Sequence, residues 1–179
     1  MSADDDGATR HPMSDDAGSP ENDQFRSLCM AVGFVVLNWA LIEQQVDNWV
    51  RLAFLTCGGK ELRKRNDVPR SFNAKADFLR ECFRKLPSLK PFAREGLPLI
   101  DRIHRVAKRR HELVHGGIVS LEAPEGRYQF RRIEYVRGDQ VVSTFRFDPS
   151  AFHTLEISLG EALTDQLAFS QRLADAFRE

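Results

Sequence analysis

The chain has 179 residues, of which 42% are hydrophobic, and its 26 basic side chains balance 26 acidic ones. This size and apolar content suit one globular domain with a sizeable core. No apolar run approaches the about 18–20 residues that span a membrane, and the acidic, polar first residues do not fit a secretory signal. We therefore expect a cytoplasmic protein without a membrane segment, whose three cysteines (Cys29, Cys57 and Cys82) are buried free thiols.

The zero net charge conceals an uneven distribution along the chain. Residues 1–23 carry seven acidic side chains and one arginine, whereas residues 60–115 carry sixteen basic and seven acidic ones. A basic core is compatible with a polyanionic ligand, and an ordinary solvated helical surface would show the same excess. Because residues 1–20 are mainly Asp, Ser, Gly and Pro, we predict a disordered acidic tail there and a folded domain at residues 21–179.

The first predicted helix follows the tail and carries a regular apolar stripe. Asn22 or Asp23 can cap its start, and Gly58 and Gly59 mark its end. Apolar residues recur in steps of four and three, which predicts a face packed against partner helices. They are Val35, Trp39, Ile42, Val46, Trp49 and Ala53. Glu43 lies beside this stripe, where a carboxylate is either a structural acceptor or a group that orients a catalytic Arg or His.

Two further helices are predicted in the basic segment. Ser71 caps the second helix, which runs to about Leu86 and stops before Pro87. The third begins after Pro91 and runs to His115, where two glycines end it. The predicted core positions are Phe72, Ala76, Phe78 or Leu79, and Phe83 in the second helix, and Leu99, Ile103, Val106 and Leu113 in the third.

The pattern then changes from helix to strand. Arg127–Val136 and residues 141–147 are rich in aromatic and β-branched side chains and flank a Gly-Asp pair. Two such runs predict a β-hairpin within about residues 118–147. The alternation slips at Arg131 and Arg132, which predicts a bulge at that point.

The last predicted helix begins at Asp148 and Pro149, since proline is favoured in a first helical turn. Its predicted apolar side is Leu155, Leu159, Leu163, Leu167, Leu173 and Phe177. The order of the elements predicts a mainly α fold, in which four helices form a bundle and a β-hairpin is inserted before the last helix.

Residues 108–117, KRRHELVHGG, concentrate groups that can perform chemistry. They contain the pattern HExxH, in which two histidines one turn apart bind Zn²⁺ and the glutamate polarises a bound water. These residues would be His111, His115 and Glu112. No third ligand has a suitable spacing, the preceding elements are helices rather than a sheet, and the cations Lys108 to Arg110 repel Zn²⁺. A zinc hydrolase is therefore an alternative prediction.

The same segment also has the pattern Arg-polar-xxx-His, from Arg110 to His115, followed by glycine. This pattern resembles the metal-independent RNase motif of the HEPN superfamily, with His111 in the polar position. An apolar-Glu step in the early helix, ending at Glu43, also resembles that family. The resemblance extends over residues 25–179 in layout and implies a four-helix HEPN-like bundle, from which the β-hairpin is a departure.

The resemblance implies a metal-independent endoribonuclease without a cofactor, of the kind found among toxins and defence or stress-response proteins. It implies RNA or a nucleotide as ligand, a possible antitoxin or regulatory partner, and a symmetric homodimer. Because Arg110 and His115 are about 140° apart on an ideal helix, the dimer would bring Arg110 of one chain near His115 of the other. The predicted site residues are Arg110, His115 and His111 (catalytic), Glu43, Asp47, Lys108 and Arg109 (supporting), and His104, Arg131 and Arg132 (substrate-binding).

The residue types suit RNA cleavage. Imidazole exchanges protons near neutral pH, and a guanidinium group holds phosphate through two parallel hydrogen bonds. His104, Lys108, His111 and His115 share a helix face, which could instead bind a nucleotide phosphate without cleaving it. A non-catalytic nucleotide- or RNA-binding or regulatory module is therefore the second prediction. Hairpin arginines between aromatic residues either hold single-stranded RNA or form an ordinary exposed face.

Overall fold

The computed structural model describes residues 20–63, 67–122 and 127–178. The predicted acidic tail lies outside these residues, apart from its last residue, with which the first helix begins. Within the described part the chain is mainly helical, with a small antiparallel sheet before the last helix, as predicted. Its main elements are α1 (Pro20–Leu55), α2 (Phe72–Lys85), α3 (Ala93–His115), β1 (Gly117–Glu122), β2 (Arg127–Val136), β3 (Asp139–Phe147) and α4 (Pro149–Ala176).

α1 packs against the other helices along the predicted stripe, all six residues of which are buried. Burial of these side chains supplies the main driving force for the bundle. The predicted cap of α2 is confirmed, and the predicted start of α4 is capped as well, whereas Asn22 and Asp23, the predicted caps of α1, lie inside that helix. The Ser71 side chain accepts a hydrogen bond from the Ala74 amide at 3.3 Å at the start of α2. Asp148 accepts one from the Ala151 amide at 2.7 Å at the start of α4.

The buried face of α4 differs from the predicted one in its second half. Leu167 is 57% exposed, and Gln166 is buried instead. A series of leucines spaced by four residues drifts about 40° around a helix at each step, so Leu167 has turned away from the core. Gln166 is tolerated because its Nε2 donates a hydrogen bond to the Ile42 carbonyl oxygen of α1 at 3.0 Å.

The sheet contains a third strand in addition to the predicted hairpin. β1 pairs antiparallel with β2, and β2 pairs antiparallel with β3. The hairpin turn is formed by Arg137 and Gly138, whose φ angles of 54° and 94° suit a two-residue loop. Val136 pairs with Asp139, so the turn begins one residue earlier than the Gly-Asp pair that predicted it.

The predicted bulge is in the wrong strand. The pairing of β2 with β3 continues without a shift through Arg131 and Arg132. The irregularity lies in β1 between Ile118 and Ser120, opposite β2. An extra residue there bends β1 just after it leaves α3, which is where the chain must turn from the bundle into the sheet.

The N-terminal half of α1 has a second apolar face that remains exposed. No charged residue lies between Arg26 and Glu43. By length and composition α1 therefore meets the criteria for a membrane-spanning helix, although 22% of its most apolar 18-residue window is buried in the described structure. The sequence pattern had led us to expect no such segment. The exposed residues recur in steps of four, three and four: Met30, Phe34, Leu37 and Leu41.

The three cysteines are free, as predicted, but they differ in exposure. Cys82 is buried, and burial together with nearby negative groups raises its pKa to about 12. Burial also raises the pKa of Cys57. Cys29 is exposed on α1, which corrects the expectation that all three thiols are buried.

Candidate functional site

A cavity of about 770 Å³ lies between the helices and the sheet. This volume is within the range of about 300–1,000 Å³ that small-molecule sites occupy. α1, α2 and α3 form one side of the cavity, and β2 and β3 form the other. Six of the predicted site residues line it: Glu43, His104, Lys108, Arg110, His111 and Arg132. The HExxH glutamate, Glu112, also lines it.

Gly116 allows the sheet to approach the end of α3 closely. A Cβ atom at this position would lie 2.6 Å from Cζ of Phe145 and 2.8 Å from the Glu112 carbonyl oxygen. Real Cβ atoms do not come so near, so any side chain here would displace the ring. Phe145 lines the cavity from β3. The glycine after the motif therefore shapes the cavity wall as well as ending the helix.

Arg110 and Arg132, which line the cavity, each have a buried Nε donor. The guanidinium carbon of Arg110 lies 5.9 Å from the ring centroid of Trp39, over its face. The Nε atoms of Arg110 and Arg132 are buried and have no hydrogen-bond partner in the described part of the chain. Arg132 also pairs through its terminal nitrogen with Glu134. A buried donor without an acceptor is costly, and an anionic ligand would supply one.

His111 and His115 lie side by side, with ring centroids 4.4 Å apart. Both side chains are exposed, but His111 lines the cavity and His115 does not. Loss of solvent lowers the pKa of His111, the positive charges of His115, Arg132 and Arg110 lower it further, and Glu134 opposes them. A lowered pKa keeps this imidazole neutral at pH 7 and able to accept a proton.

Glu43 and His104 are held in place by neighbours. Oε2 of Glu43 accepts a hydrogen bond from Nε1 of Trp39 at 3.2 Å. Nδ1 of His104 lies 3.0 Å from a terminal nitrogen of Arg80. Because arginine only donates, Nδ1 must be the acceptor and the ring proton sits on Nε2. The ring of Phe72 contacts both Trp39 and His104, at centroid distances of 5.0 and 6.1 Å.

Besides His115, three predicted site residues do not line the cavity. Asp47 pairs with Lys75 at 2.5 Å and thereby joins α1 to α2. The guanidinium of Arg109 lies 4.9 Å from the Phe147 ring centroid and pairs with Glu112 at 3.0 Å. Arg131 is exposed on β2. Asp47 and Arg109 therefore make contacts that hold elements together. Arg131 lies on the face of β2 opposite Arg132, away from the cavity.

Sequence reasoning missed several residues that line the cavity. Trp39 and Phe72 were predicted only as core residues, because their spacing fits an apolar stripe. Glu134 was not singled out, although it follows Arg132 by two positions and alternation along a strand places such residues on one face. The remaining unpredicted lining residues are Ser71, Asn73, Ala107, Ser143, Thr144 and Phe145.

The zinc alternative requires a third ligand beside His111 and His115. In the ranges that the structure describes, no group of three His, Cys, Asp or Glu side chains is arranged to hold a metal ion. The glutamate of the HExxH pattern, Glu112, is ion-paired with Arg109.

Comparisons with protein families, with curated proteins and with solved structures find no match to this chain. The similarity to the HEPN superfamily thus remains a prediction, made from the residues of the motif and from the layout of the helices.

Proposed function

We propose that the protein is a metal-independent endoribonuclease, and that it cleaves single-stranded RNA at the cavity between α3 and the sheet. One observation carries the proposal: His111, with its lowered pKa and His115 beside it, shares a cavity with Arg110, whose buried Nε lacks an acceptor. These groups match the needs of the reaction, which are a base, an acid and cations for the phosphate.

In the proposed reaction, His111 removes the proton from a ribose 2′-hydroxyl, and the oxygen attacks the adjacent phosphorus. Arg110 and Arg132 stabilise the added negative charge on the phosphate oxygens. His115 donates a proton to the departing 5′-oxygen, so the bond to that oxygen breaks. The products are a 2′,3′-cyclic phosphate and a free 5′-hydroxyl. The sequence motif had named Arg110, His111 and His115 together as catalytic; the cavity and the lowered pKa favour His111 as the base.

The cavity is formed within one chain, so a partner chain is not needed to place Arg110 beside His111. We retain the homodimer as part of the proposal, through the exposed α1 stripe of Met30, Phe34, Leu37 and Leu41. Its 4-3-4 spacing is typical of helices that pair along a seam. On an ideal helix this stripe lies about 170° from Trp39 and Glu43, so pairing there leaves both cavities open.

The biological setting follows from the same proposal. RNA as substrate and free thiols suit the cytoplasm, where thiols stay reduced. A nuclease that cleaves cellular RNA must be controlled, which is consistent with a toxin or stress-response role and an antitoxin partner.

Cleavage of a mixed-sequence single-stranded RNA in excess chelator tests the proposal. His111→Ala should lower the cleavage rate by about 100-fold or more, while RNA affinity changes little because a neutral imidazole adds little charge. Arg110→Ala should weaken both cleavage and binding, and Arg110→Lys should not restore cleavage, since an ammonium group cannot form the paired hydrogen bonds. Arg105→Ala is the matched control: it removes an exposed arginine of α3 and should cleave normally.

A non-catalytic RNA- or nucleotide-binding module is the second candidate, favoured by the position of His115 outside the cavity lining. This alternative predicts binding without cleavage for every RNA sequence tried, and equal losses of affinity for Arg110→Ala and Lys108→Ala. Wild-type protein that binds RNA but never cuts it would replace the nuclease with this module.

A further inference from the structure

The carboxylate of Glu43 lines the same cavity as the cations Lys108, Arg110 and Arg132. Glu43 is half-buried and lines the cavity. Its one hydrogen bond in the described part of the chain comes from the neutral indole of Trp39, and no basic side chain there lies within ion-pairing distance. The other two carboxylates of the cavity are ion-paired, Glu134 with Arg132 and Glu112 with Arg109. Glu43 therefore retains acceptor capacity that a ligand could use.

A carboxylate distinguishes the nucleobases by the hydrogen-bond donors that each base presents. Two carboxylate oxygens accept hydrogen bonds from two adjacent donors. On the Watson–Crick edge, guanine presents N1–H beside its N2 amino group. Adenine and cytosine each present one amino donor beside a ring-nitrogen acceptor, and uracil presents one N–H between two carbonyl oxygens. Guanine alone offers adjacent donors, so a carboxylate facing a base edge favours guanine.

The cavity walls suit a planar aromatic ligand. Phe72 contributes a ring from the helical side and Phe145 one from the sheet side, and both are only partly buried. Bases bind to such rings by stacking, whatever their identity. The volume of about 770 Å³ exceeds the needs of a single base and leaves room for its sugar and phosphate. The phosphate would then meet Arg110 and His111.

We infer that the cavity binds a guanine nucleotide of the RNA substrate, with Glu43 accepting hydrogen bonds from N1–H and N2–H of the base. This inference rests on the proposed function for the choice of RNA as substrate. It adds that the base next to the cleaved phosphate is guanine, and that the early helix, not the motif helix, determines this preference.

Binding of mononucleotides tests the inference without any cleavage. The chain has two tryptophans. Trp39 lines the cavity, whereas Trp49 lies outside the lining and donates a hydrogen bond to Ser170, which joins α1 to α4. In a Trp49→Phe variant, fluorescence therefore reports on Trp39. Titration with GMP, AMP, CMP and UMP should give a dissociation constant for GMP about tenfold or more below the other three, as a two-bond base contact provides.

Glu43→Gln changes the pattern of donors while keeping the side chain's shape. Its amide oxygen can still accept from Trp39, so the remaining NH₂ group would face the donors of guanine. The preference for GMP should fall to about threefold or less, with AMP and CMP gaining, because adenine and cytosine each offer the matching acceptor and donor. Glu81→Gln, on α2 and outside the cavity lining, is the matched control and should keep the preference.

The outcomes separate this inference from the proposed function. RNA cleavage with equal affinity for the four mononucleotides, or with none of them bound at millimolar concentration, overturns the guanine site and leaves the nuclease standing. A Glu43-dependent preference for GMP without any RNA cleavage supports the site and removes the nuclease. If Trp49→Phe does not fold, isothermal titration calorimetry of the native chain with the same four nucleotides gives the dissociation constants.

Discussion

The surroundings of His111 change its pKa. Its pKa is lowered by loss of solvent and by the positive charges of His115, Arg132 and Arg110, and Glu134 acts in the opposite direction. If the neutral imidazole is the base, cleavage rises as the pH increases through this pKa. The acidic limb of the kcat/KM profile should therefore lie below the ordinary histidine value of about 6.5.

Arg132→Gln should raise the pKa of His111, because it removes a positive charge and frees Glu134 from its ion pair. The acidic limb should then move to higher pH, and the imidazole proton resonance should titrate at higher pH in parallel. Nuclear magnetic resonance measures the second effect in protein that has no substrate. An unchanged His111 titration in this variant would contradict the proposed electrostatic coupling. Arg131→Gln, on the exposed side of β2, serves as the control.

At this scale the sequence predicted which residue types share the site but not their division of roles. The motif spacing indicated Arg110, His111 and His115 together. The spacing could not indicate that His111 lines the cavity while His115 lies outside the lining and contacts the His111 ring. The position of each histidine relative to the cavity depends on how β2 and β3 cover α3. The isolation of Glu43 from basic side chains likewise depends on its neighbours in space.

Among the elements, the junction of α3 with the sheet is tightly packed. Gly116→Ala would place a methyl group within 2.6 Å of Phe145 and 2.8 Å of a backbone oxygen. We expect it to lower the free energy of unfolding by about 1–3 kcal/mol, as overpacking does, and to reduce cleavage by moving a cavity wall. Denaturant unfolding and the cleavage assay measure the two effects.

Gly160→Ala is the matched control for that substitution. Gly160 lies inside α4, and nothing lies within 4 Å of the added Cβ. Alanine is favoured over glycine in a helix interior by about 1 kcal/mol, so this variant should be as stable as the native chain or more so, with normal cleavage. A Gly116→Ala variant that behaves like Gly160→Ala would show that the close approach is unimportant.

The helices were easier to predict than the sheet, for a physical reason. The α1 stripe and the caps at Ser71 and Asp148 are local signals, and the structure confirms them. β1 was missed as a separate strand because the irregularity between Ile118 and Ser120 interrupts the alternation of a six-residue run. Gln166 was missed because its partner is a backbone carbonyl of α1, which no pattern in α4 reveals.

At the scale of the whole molecule, the proposed dimer rests on the exposed stripe of α1. We expect the native protein to sediment as a dimer at micromolar concentration. Leu37→Glu, at a residue 70% exposed in the single chain, should yield monomers, because a charge in an apolar seam is costly. Cleavage per chain should persist, since the stripe lies on the face of α1 opposite Trp39 and Glu43.

Ile157→Glu is the control for this variant: it adds the same charge at an exposed apolar residue of α4 and should leave the dimer intact. A native protein that is strictly monomeric, or that fractionates with membranes, would contradict the assignment of this face to a second copy. Loss of cleavage together with the dimer would instead favour a cleft shared between two chains, as the sequence motif first suggested.

The chemistry of the cut ends tests the central claim most directly. Mass spectrometry of a single-stranded RNA oligonucleotide digested by the purified protein in excess chelator should show 2′,3′-cyclic phosphate and 5′-hydroxyl ends. A 2′-deoxy substitution at the cleaved nucleotide should abolish the cut, because the attacking hydroxyl is absent. Ends carrying 3′-hydroxyl and 5′-phosphate, or activity that chelator removes and zinc restores, would contradict a metal-independent mechanism based on His111 and Arg110.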